Sequence, residues 1–255
     1  MDVFLGGRVV PGRYPESPRS QVWRNANGRF ETAAEWLAPE LSRSGMVTGA
    51  VATDVDLDGW IDLVVTMDWG RVHWWRNREG KGFSDESHAM GLDEMGSGWW
   101  RLIEAADINS DGRTDFLLGN VGLNTVYRAT ETAPAVLYAG DVGARSRDTL
   151  IEAMTLEGQE FPRVSRGRMS AVISEVGRKY RKFDDYAEAT LPELWEETTL
   201  RKADRHEVTE LCSGVLLSGA DGRWRFRALP TEAQFGPIAP WRSPTMIAMG
   251  TWIYW

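Results

Sequence analysis

Two nine-residue segments concentrate oxygen ligands of the kind that a hard metal ion prefers. They read DVDLDGWID at residues 54–62 and DINSDGRTD at residues 107–115. In a tight loop, side chains at positions 1, 3 and 5 converge on one point, glycine at position 6 permits a sharp bend, and the carbonyl of position 7 points inward. Calcium takes about 6–8 oxygen ligands, so the pattern predicts one calcium ion in each segment, with the aspartate at position 9 closing the site.

We name these segments loop 1 (residues 54–62) and loop 2 (residues 107–115). The predicted ligands in loop 1 are Asp54, Asp56, Asp58, Trp60 through its carbonyl, and Asp62. The predicted ligands in loop 2 are Asp107, Asn109, Asp111, Arg113 through its carbonyl, and Asp115. The alternative is a solvated, aspartate-rich turn without an ion. Two copies in register within a repeat favour the metal site, because crowded carboxylates repel one another without a cation.

Neither loop is an EF-hand. The glutamate that an EF-hand needs at position 12 is replaced by Val65 in loop 1 and by Leu118 in loop 2, and each loop leads into a strand pattern. A third segment, DVGARSRDT at residues 141–149, keeps the first aspartate but has Arg145 at position 5. We expect no ion there, because the guanidinium would repel it.

The loops belong to a longer internal repeat. Each unit predicts a strand, the acidic loop, two strands, a tight turn and a final strand, and the turns contain Asn27-Gly28, Glu79-Gly80 and Asp221-Gly222. Four strands in about 50 residues are typical of one blade of a β-propeller. The sequence therefore predicts an all-β fold, a partial β-propeller of four-stranded antiparallel blades.

The repeat register divides the chain into about three and a half blades. The predicted blades are 1–44, 45–92, 93–134 and 135–230, so that residues 1–240 form the propeller segment and residues 241–255 an atypical C-terminal tail. Asp2 aligns with position 9 of the loops, so the first blade lacks its own loop. Closed propellers have about 4–8 blades, and we therefore expect a truncated chain, or one that completes its ring with another copy.

A helical pattern interrupts the last predicted blade near residues 163–207. Apolar residues at Met169, Val172, Ile173 and Val176 follow helical spacing, and Thr190-Leu191-Pro192-Glu193 has the form of a capping box. We expect two or three helices inserted between blade strands.

Composition excludes several classes of function. The net charge is −8 at pH 7, which disfavours general nucleic-acid binding and suits a protein that holds cations. A single cysteine, Cys212, and three histidines exclude an internal disulfide, a multi-thiolate zinc site and a histidine-rich metal centre. No apolar run approaches the ~20 residues of a membrane span, and no signal peptide is visible.

Paired tryptophans at residues 74, 75, 99 and 100 offer a second kind of chemistry, stacking on sugar rings. Packing between blades is the more common role of such residues. Strand alternation predicts that one member of each pair points inward.

The repeat units resemble the FG-GAP/VCBS repeats of integrin-α-like propellers, and their neighbourhood is similar to bacterial proteins that carry an ASPIC/UnbV domain. The matching stretches are residues 54–63, 98–100, 107–124, 186–191, 229–230 and 232–235. The resemblance implies a seven-bladed, calcium-binding propeller that is secreted or displayed at the cell surface or in the periplasm. The chain departs from the pattern because it has too few recognisable blades, a degenerate third loop and no ASPIC/UnbV domain.

We therefore expect a calcium-binding scaffold or adhesion module that binds a protein or a glycan, does not bind nucleic acid and has no catalysis of its own. Self-association through open blade faces is a further expectation, because stacked repeats leave terminal faces uncovered. Two alternatives are the propeller segment of a polysaccharide lyase or dehydratase, and a gene fragment without independent function.

Overall fold

Short antiparallel strands make up most of the chain. The computed structural model describes residues 2–140, 149–195, 200–239 and 247–249, without the side chains of Val172 and of residues 247–249. Two compact units are present: unit 1 comprises residues 1–125 and 211–255, and unit 2 comprises residues 126–210. Among the described residues, no helix has both the length and the apolar character that a membrane span requires. The third acidic segment, apart from Thr149, lies outside the described residues, as does most of the predicted tail.

Sheet A of unit 1 has the strand order β17-β1-β2-β3. Its strands are β1 (Asp2–Leu5), β2 (Gln21–Ala26), β3 (Arg29–Thr32) and β17 (Ile247–Met249). Asn27 and Gly28, between β2 and β3, both have positive φ angles, which confirms the predicted tight turn. A short helix α1 (Ala34–Leu37) and a 3-10 turn (Leu41–Arg43) follow.

Sheet B has the order β4-β5-β6-β7 and is one complete four-stranded unit of the predicted kind. Its strands are β4 (Val47–Thr53), β5 (Asp62–Gly70), β6 (His73–Asn77) and β7 (Phe83–Asp85), and β8 (Gly98–Trp99) pairs with the end of β5. A 3-10 turn (Leu92–Met95) precedes β8. Loop 1 joins β4 to β5, as predicted.

Sheet C differs from the predicted blade boundaries. It has the order β9-β10-β15-β16, with β9 (Leu102–Ala106), β10 (Asp115–Gly119), β15 (Gly214–Ser218) and β16 (Trp224–Ala228). Loop 2 joins β9 to β10, and Phe116 of β10 is paired with Leu216 of β15. The sheet therefore combines strands that the sequence register assigned to two blades, 93–134 and 135–230, because a whole unit is inserted between its second and third strands. A 3-10 turn (Thr231–Gln234) follows.

Unit 2 is the inserted segment and contains its own sheet as well as helices. Sheet D has the order β13-β12-β11-β14, with β11 (Ala135–Gly140), β12 (Thr149–Leu156), β13 (Gln159–Pro162) and β14 (Asp204–Val208). The helices are α2 (Arg166–Val172), α3 (Ser174–Lys179), α4 (Phe183–Ala187) and α5 (Leu191–Leu194). The predicted insertion at 163–207 is thus larger, because it includes four strands and more helices than expected.

The helical prediction is confirmed in part, because Met169 and Val176 lie in two separate helices, α2 and α3, divided at Ile173, whose backbone is extended. The capping box at the start of α5 is confirmed, since the Thr190 N–H donates to the Glu193 carboxylate at 2.8 Å. Met169 and Val176 are buried and Ile173 packs against the same core. The hydrophobic core of unit 2 therefore lies between this helical face and sheet D.

The core of unit 1 lies on both faces of sheet B. On one face, Leu63 and Trp75 pack with Phe4 and Val22 of sheet A. On the other face, Val64 and Trp74 pack with residues of sheet C, which are Ile103, Phe116, Leu118, Leu216 and Trp224. Strand β4 also lies against β9 and against β17. Sheets A, B and C are therefore stacked face to face in that order.

This stacking confirms packing between sheets as the role of Trp74 and Trp75, and corrects the expectation that only one member of each tryptophan pair points inward. Trp74, Trp75, Trp99 and Trp100 are all buried, with exposed fractions of 4%, 4%, 7% and 0%. Alternation still sends Trp74 and Trp75 to opposite faces, but both faces of sheet B are covered. The four indoles are core residues, and none of them offers an open platform for a sugar.

Candidate metal centre

Loops 1 and 2 both have positive φ angles at positions 4 and 6. In loop 1, Leu57 at position 4 has φ 60° and Gly59 at position 6 has φ 90°; in loop 2, Ser110 has φ 60° and Gly112 has φ 82°. The sequence predicted the sharp bend at the glycine but not the left-handed residue two positions earlier. A left-handed conformation is costly for a leucine, which has a Cβ and no local hydrogen bond from its side chain.

The aspartate at position 1 folds each loop. The Asp54 carboxylate accepts the N–H of Asp58 at 3.1 Å and the N–H of Gly59 at 2.9 Å. The Asp107 carboxylate accepts the equivalent N–H groups, of Asp111 at 3.0 Å and of Gly112 at 2.9 Å. Position 1 therefore acts as a turn-forming residue besides being a candidate ligand.

Three carboxylates come together in loop 1. One oxygen each of Asp54, Asp56 and Asp58 lies within 4.8 Å of the other two. Three partly exposed carboxylate oxygens at this spacing fit a divalent cation that prefers hard oxygen ligands. The side chains at positions 1, 3 and 5 could therefore hold a metal ion.

A guanidinium group already lies against this donor set. Arg76 of β6 places Nε 2.6 Å from Asp56 Oδ2 and Nη2 3.0 Å from Asp58 Oδ2. Partial burial disfavours its charge, but Asp56 and Asp58 together raise the pKa of Arg76. The positive charge of Arg76 therefore lies against two of the three carboxylates, and sequence reasoning missed this contact. The available signal was the Trp-Arg-Asn repeat at residues 23–25 and 75–77, which places an arginine one strand beyond the loop.

Loop 2 has a weaker set of acidic groups. Among the described residues, no second group of three acidic side chains forms there, because Asn109 replaces the aspartate of position 3. The Asn109 amide donates to Asp111 Oδ2 at 2.8 Å, and the Arg113 guanidinium lies 2.6 Å from the same oxygen. Burial would raise the pKa of Asp111, but its hydrogen bonds with Arg113 and Asn109 lower it overall.

The aspartate at position 9 serves the sheet. Asp62 is fully buried, and its carboxylate accepts the N–H of Val55 at 3.2 Å and the N–H of Asn77 at 2.7 Å. The structure does not bring it into the group formed by Asp54, Asp56 and Asp58.

The same arrangement recurs in sheet C, and its bond to the neighbouring strand recurs in sheet A. Asp115 is fully buried and accepts the N–H groups of Ile108 and Ser218, at 3.1 Å and 2.8 Å. Asp2 accepts the N–H of Asn25 at 2.9 Å. The predicted alignment of Asp2 with position 9 is therefore matched by its bonding. The carboxylate accepts its N–H from β2 in sheet A, from β6 in sheet B and from β15 in sheet C.

Trp60 at position 7 packs outside the donor set. A Cβ on Gly80 would lie 3.0 Å from the Trp60 ring, so the indole covers the β6–β7 turn. Arg113, at position 7 of loop 2, reaches β15 and donates to Ser218 Oγ at 3.2 Å. Both side chains link a loop to a neighbouring strand, while their carbonyls remain the predicted ligand atoms.

Unit 2 contains a separate cleft of about 730 Å³. Its lining includes Tyr138, Glu160 and Arg205. The Tyr138 hydroxyl donates to Glu160 at 2.6 Å, and Arg205 lies 2.9 Å from the other oxygen of the same carboxylate. The charges of this cleft are thus largely satisfied by one another.

The geometry of the two loops can be compared with known families. Residues 54–118 match the model of the FG-GAP-like repeat. The match begins at position 1 of loop 1 and ends in β10, so it contains both acidic loops. No curated protein matches the chain. The narrower resemblance to proteins with an ASPIC/UnbV domain stays a prediction.

The burial of the Asp62 carboxylate predicts how its contribution to stability depends on pH. Burial raises the pKa of Asp62 from 3.8 to about 6, against the opposing effect of the Asn77 and Val55 N–H groups. Because the folded-state pKa is above the unfolded value, the folded protein binds this proton more tightly. The contribution of Asp62 to stability should therefore fall as the pH rises from about 4 to 7.

Urea denaturation of the wild type and Asp62→Asn, in calcium-free buffer, measures this contribution. The difference in unfolding free energy, wild type minus variant, should decrease with rising pH across that window. Glu31→Gln, at an exposed position on β3, is the control and should follow the wild-type profile. A wild-type-minus-Asp62→Asn difference that does not vary with pH would contradict this assignment.

The backbone strain at Leu57 generates a second prediction. Leu57 is 72% exposed, so its replacement removes little packing, and asparagine tolerates the left-handed region better than leucine. Leu57→Asn should raise the free energy of unfolding by about 1 kcal/mol. Leu123→Asn is the matched control, because Leu123 is 48% exposed and does not have a positive φ. Equal melting temperatures for the two variants would argue against strain at position 4.

Proposed function

We propose that this chain is a calcium-binding module with a β-propeller-type arrangement of blades, and that it acts as a scaffold binding a protein or a glycan. The observation that carries the proposal is the group of three carboxylates in loop 1, within a segment that matches the FG-GAP-like repeat. FG-GAP repeats are typically extracellular and often bind calcium. We therefore place the module outside the cytoplasm.

Calcium suits these loops better than magnesium. Calcium accepts 6–8 oxygen ligands in flexible geometry, whereas magnesium requires near-ideal octahedral coordination and loses its water reluctantly. Asp54, Asp56 and Asp58 would supply carboxylate oxygens, and the carbonyl of Trp60 would add a neutral one. In loop 2, Asp107, Asn109 and Asp111 would play the equivalent parts, with fewer charges.

The ion would stabilise the packing of unit 1. Each loop connects the first two strands of its sheet, and β4 lies against β9. A cation at loop 1 would relieve repulsion among three carboxylates at one end of these strands. The face-to-face order of sheets A, B and C supports a radial arrangement of blades around strands β17, β4 and β9.

We propose binding without catalysis because the chemistry assigned to the loops is structural. The sequence contains no nucleophile elbow and no glycine-rich phosphate loop. Loops at one end of stacked sheets are common positions for ligand recognition, since a rigid scaffold holds them. Self-association through open sheet faces stays a prediction.

Calcium dependence of thermal stability tests the metal assignment. Adding calcium to chelator-treated protein should raise the melting temperature, since a ligand at 100 times its dissociation constant stabilises by about 2.7 kcal/mol. Asp56→Ala and Asp111→Ala should each reduce this increase, and the double variant should abolish it.

Glu104→Ala is the matched control, because Glu104 is an exposed acidic residue on β9 outside both loops. It should keep the full calcium response. A wild-type melting curve that is the same with calcium and with chelator would defeat the metal assignment. Magnesium should raise the melting temperature less than calcium does.

Ligand binding is tested with a glycan array probed by the labelled full-length chain. If the acidic loops support the binding surface, array signals should be lost in chelator and in the Asp56→Ala/Asp111→Ala variant. Signals that persist unchanged in chelator and in the double variant would show that glycan binding does not depend on the acidic loops. A blank array would direct the search to protein ligands.

A further inference from the structure

Arg76 contacts the same carboxylates that a metal ion would use. Its Nε lies 2.6 Å from Asp56 Oδ2 and its Nη2 lies 3.0 Å from Asp58 Oδ2. The guanidinium fork therefore holds positions 3 and 5 of loop 1, while position 1 is held by backbone N–H groups. The side chain is about one third exposed (32%), although its Nε atom is buried.

Internal comparison shows that this pairing is specific to sheet B. Asp2, Asp62 and Asp115 accept N–H groups from Asn25, Asn77 and Ser218 and so fix equivalent positions in the three sheets. The residues that precede these donors are Arg24, Arg76 and Leu217. Arg24 lies over the Trp36 ring, 5.9 Å from its centroid, and the equivalent position of sheet C is occupied by Leu217, which has no charge.

Arg76 and a divalent metal ion would compete for the carboxylates of Asp56 and Asp58. A guanidinium supplies one positive charge and directional hydrogen-bond donors, whereas a divalent cation supplies two charges and must approach the oxygens directly. Asp56 Oδ2 and Asp58 Oδ2 cannot be in contact with both at full strength, and the two cations also repel each other. Binding of the metal must therefore be accompanied by loss of the Arg76 contacts.

We infer that Arg76 is a built-in counter-ion of loop 1 that competes with the divalent metal and lowers the affinity of this loop. The inference rests on the proposed calcium binding and adds the regulation of that site. Arg76 holds the carboxylates when metal is scarce and releases them when metal is abundant. Such a device shifts loop 1 toward the weak affinities, about 10⁻⁴–10⁻³ M, that calcium modules outside the cell show.

The test uses calorimetric titration of calcium chloride onto the full-length chain. All variants carry Asp111→Ala, so that loop 2 is weakened and loop 1 dominates the signal. Arg76→Gln should bind calcium about tenfold more tightly than its parent, a change that corresponds to about 1.4 kcal/mol. Arg24→Gln removes the same charge at the equivalent position of sheet A and should leave the dissociation constant within about twofold of the parent.

Side-chain NMR gives an independent readout of the displacement. On saturation with calcium, the Arg76 Nε–Hε signal should shift, and the Arg24 signal should stay in place. If Arg76→Gln fails to fold, Arg76→Lys keeps the charge without the fork and should bind calcium more tightly than the parent by a smaller factor.

The outcomes distinguish the proposed calcium binding from the proposed role of Arg76. Calcium binding by the parent with an unchanged or weaker affinity in Arg76→Gln overturns the role of Arg76 and leaves the proposed function standing. Equal tightening in Arg24→Gln also overturns it, because the effect would then be general electrostatics. Absence of calcium binding in the wild type and in every variant overturns both.

Discussion

In unit 1, the buried aspartate at position 9 of each acidic loop fixes that loop to its own sheet. Asp62 accepts one N–H from its own loop and one from the third strand, and Asp115 does the same in sheet C. Burying a charge is costly, and the pKa of Asp62 rises to about 6 for this reason. The N–H bonds offset part of that cost and fix the loop relative to the strand. The remaining acidic residues can then gather at a defined place.

The loops carry more negative charge than their own backbone can neutralise. Backbone N–H groups satisfy Asp54 and Asp107, but the other aspartates, Asp56 and Asp58 in loop 1 and Asp111 in loop 2, need a positive partner. Loop 1 takes Arg76 from a neighbouring strand, and loop 2 takes Arg113 from within itself. The two loops thus meet the same electrostatic need with different residues, and this difference predicts different metal affinities.

Sheet B is covered on both faces, which explains why its strands are apolar on both sides. Leu63, Val64 and Val65 are completely buried, and the adjacent Trp74 and Trp75 enter opposite cores. A sheet with one solvated face would alternate apolar and polar residues. Continuous apolar runs beside acidic loops are therefore the pattern of a sheet stacked between two others.

The sequence determined the features that depend on neighbours along the chain. The turn at Asn27-Gly28, the capping box at Thr190 and the placement of both acidic loops between strands follow from short-range backbone chemistry and were predictable. The tertiary structure decided the features that depend on distant partners. Asp115 bonds to Ser218, 103 positions away, across an inserted unit, and Arg76 reaches Asp58 from 18 positions away. Local periodicity does not predict which strand pairs with β10 after the inserted unit, or which side chain contacts a loop. Those contacts form only when the sheets assemble.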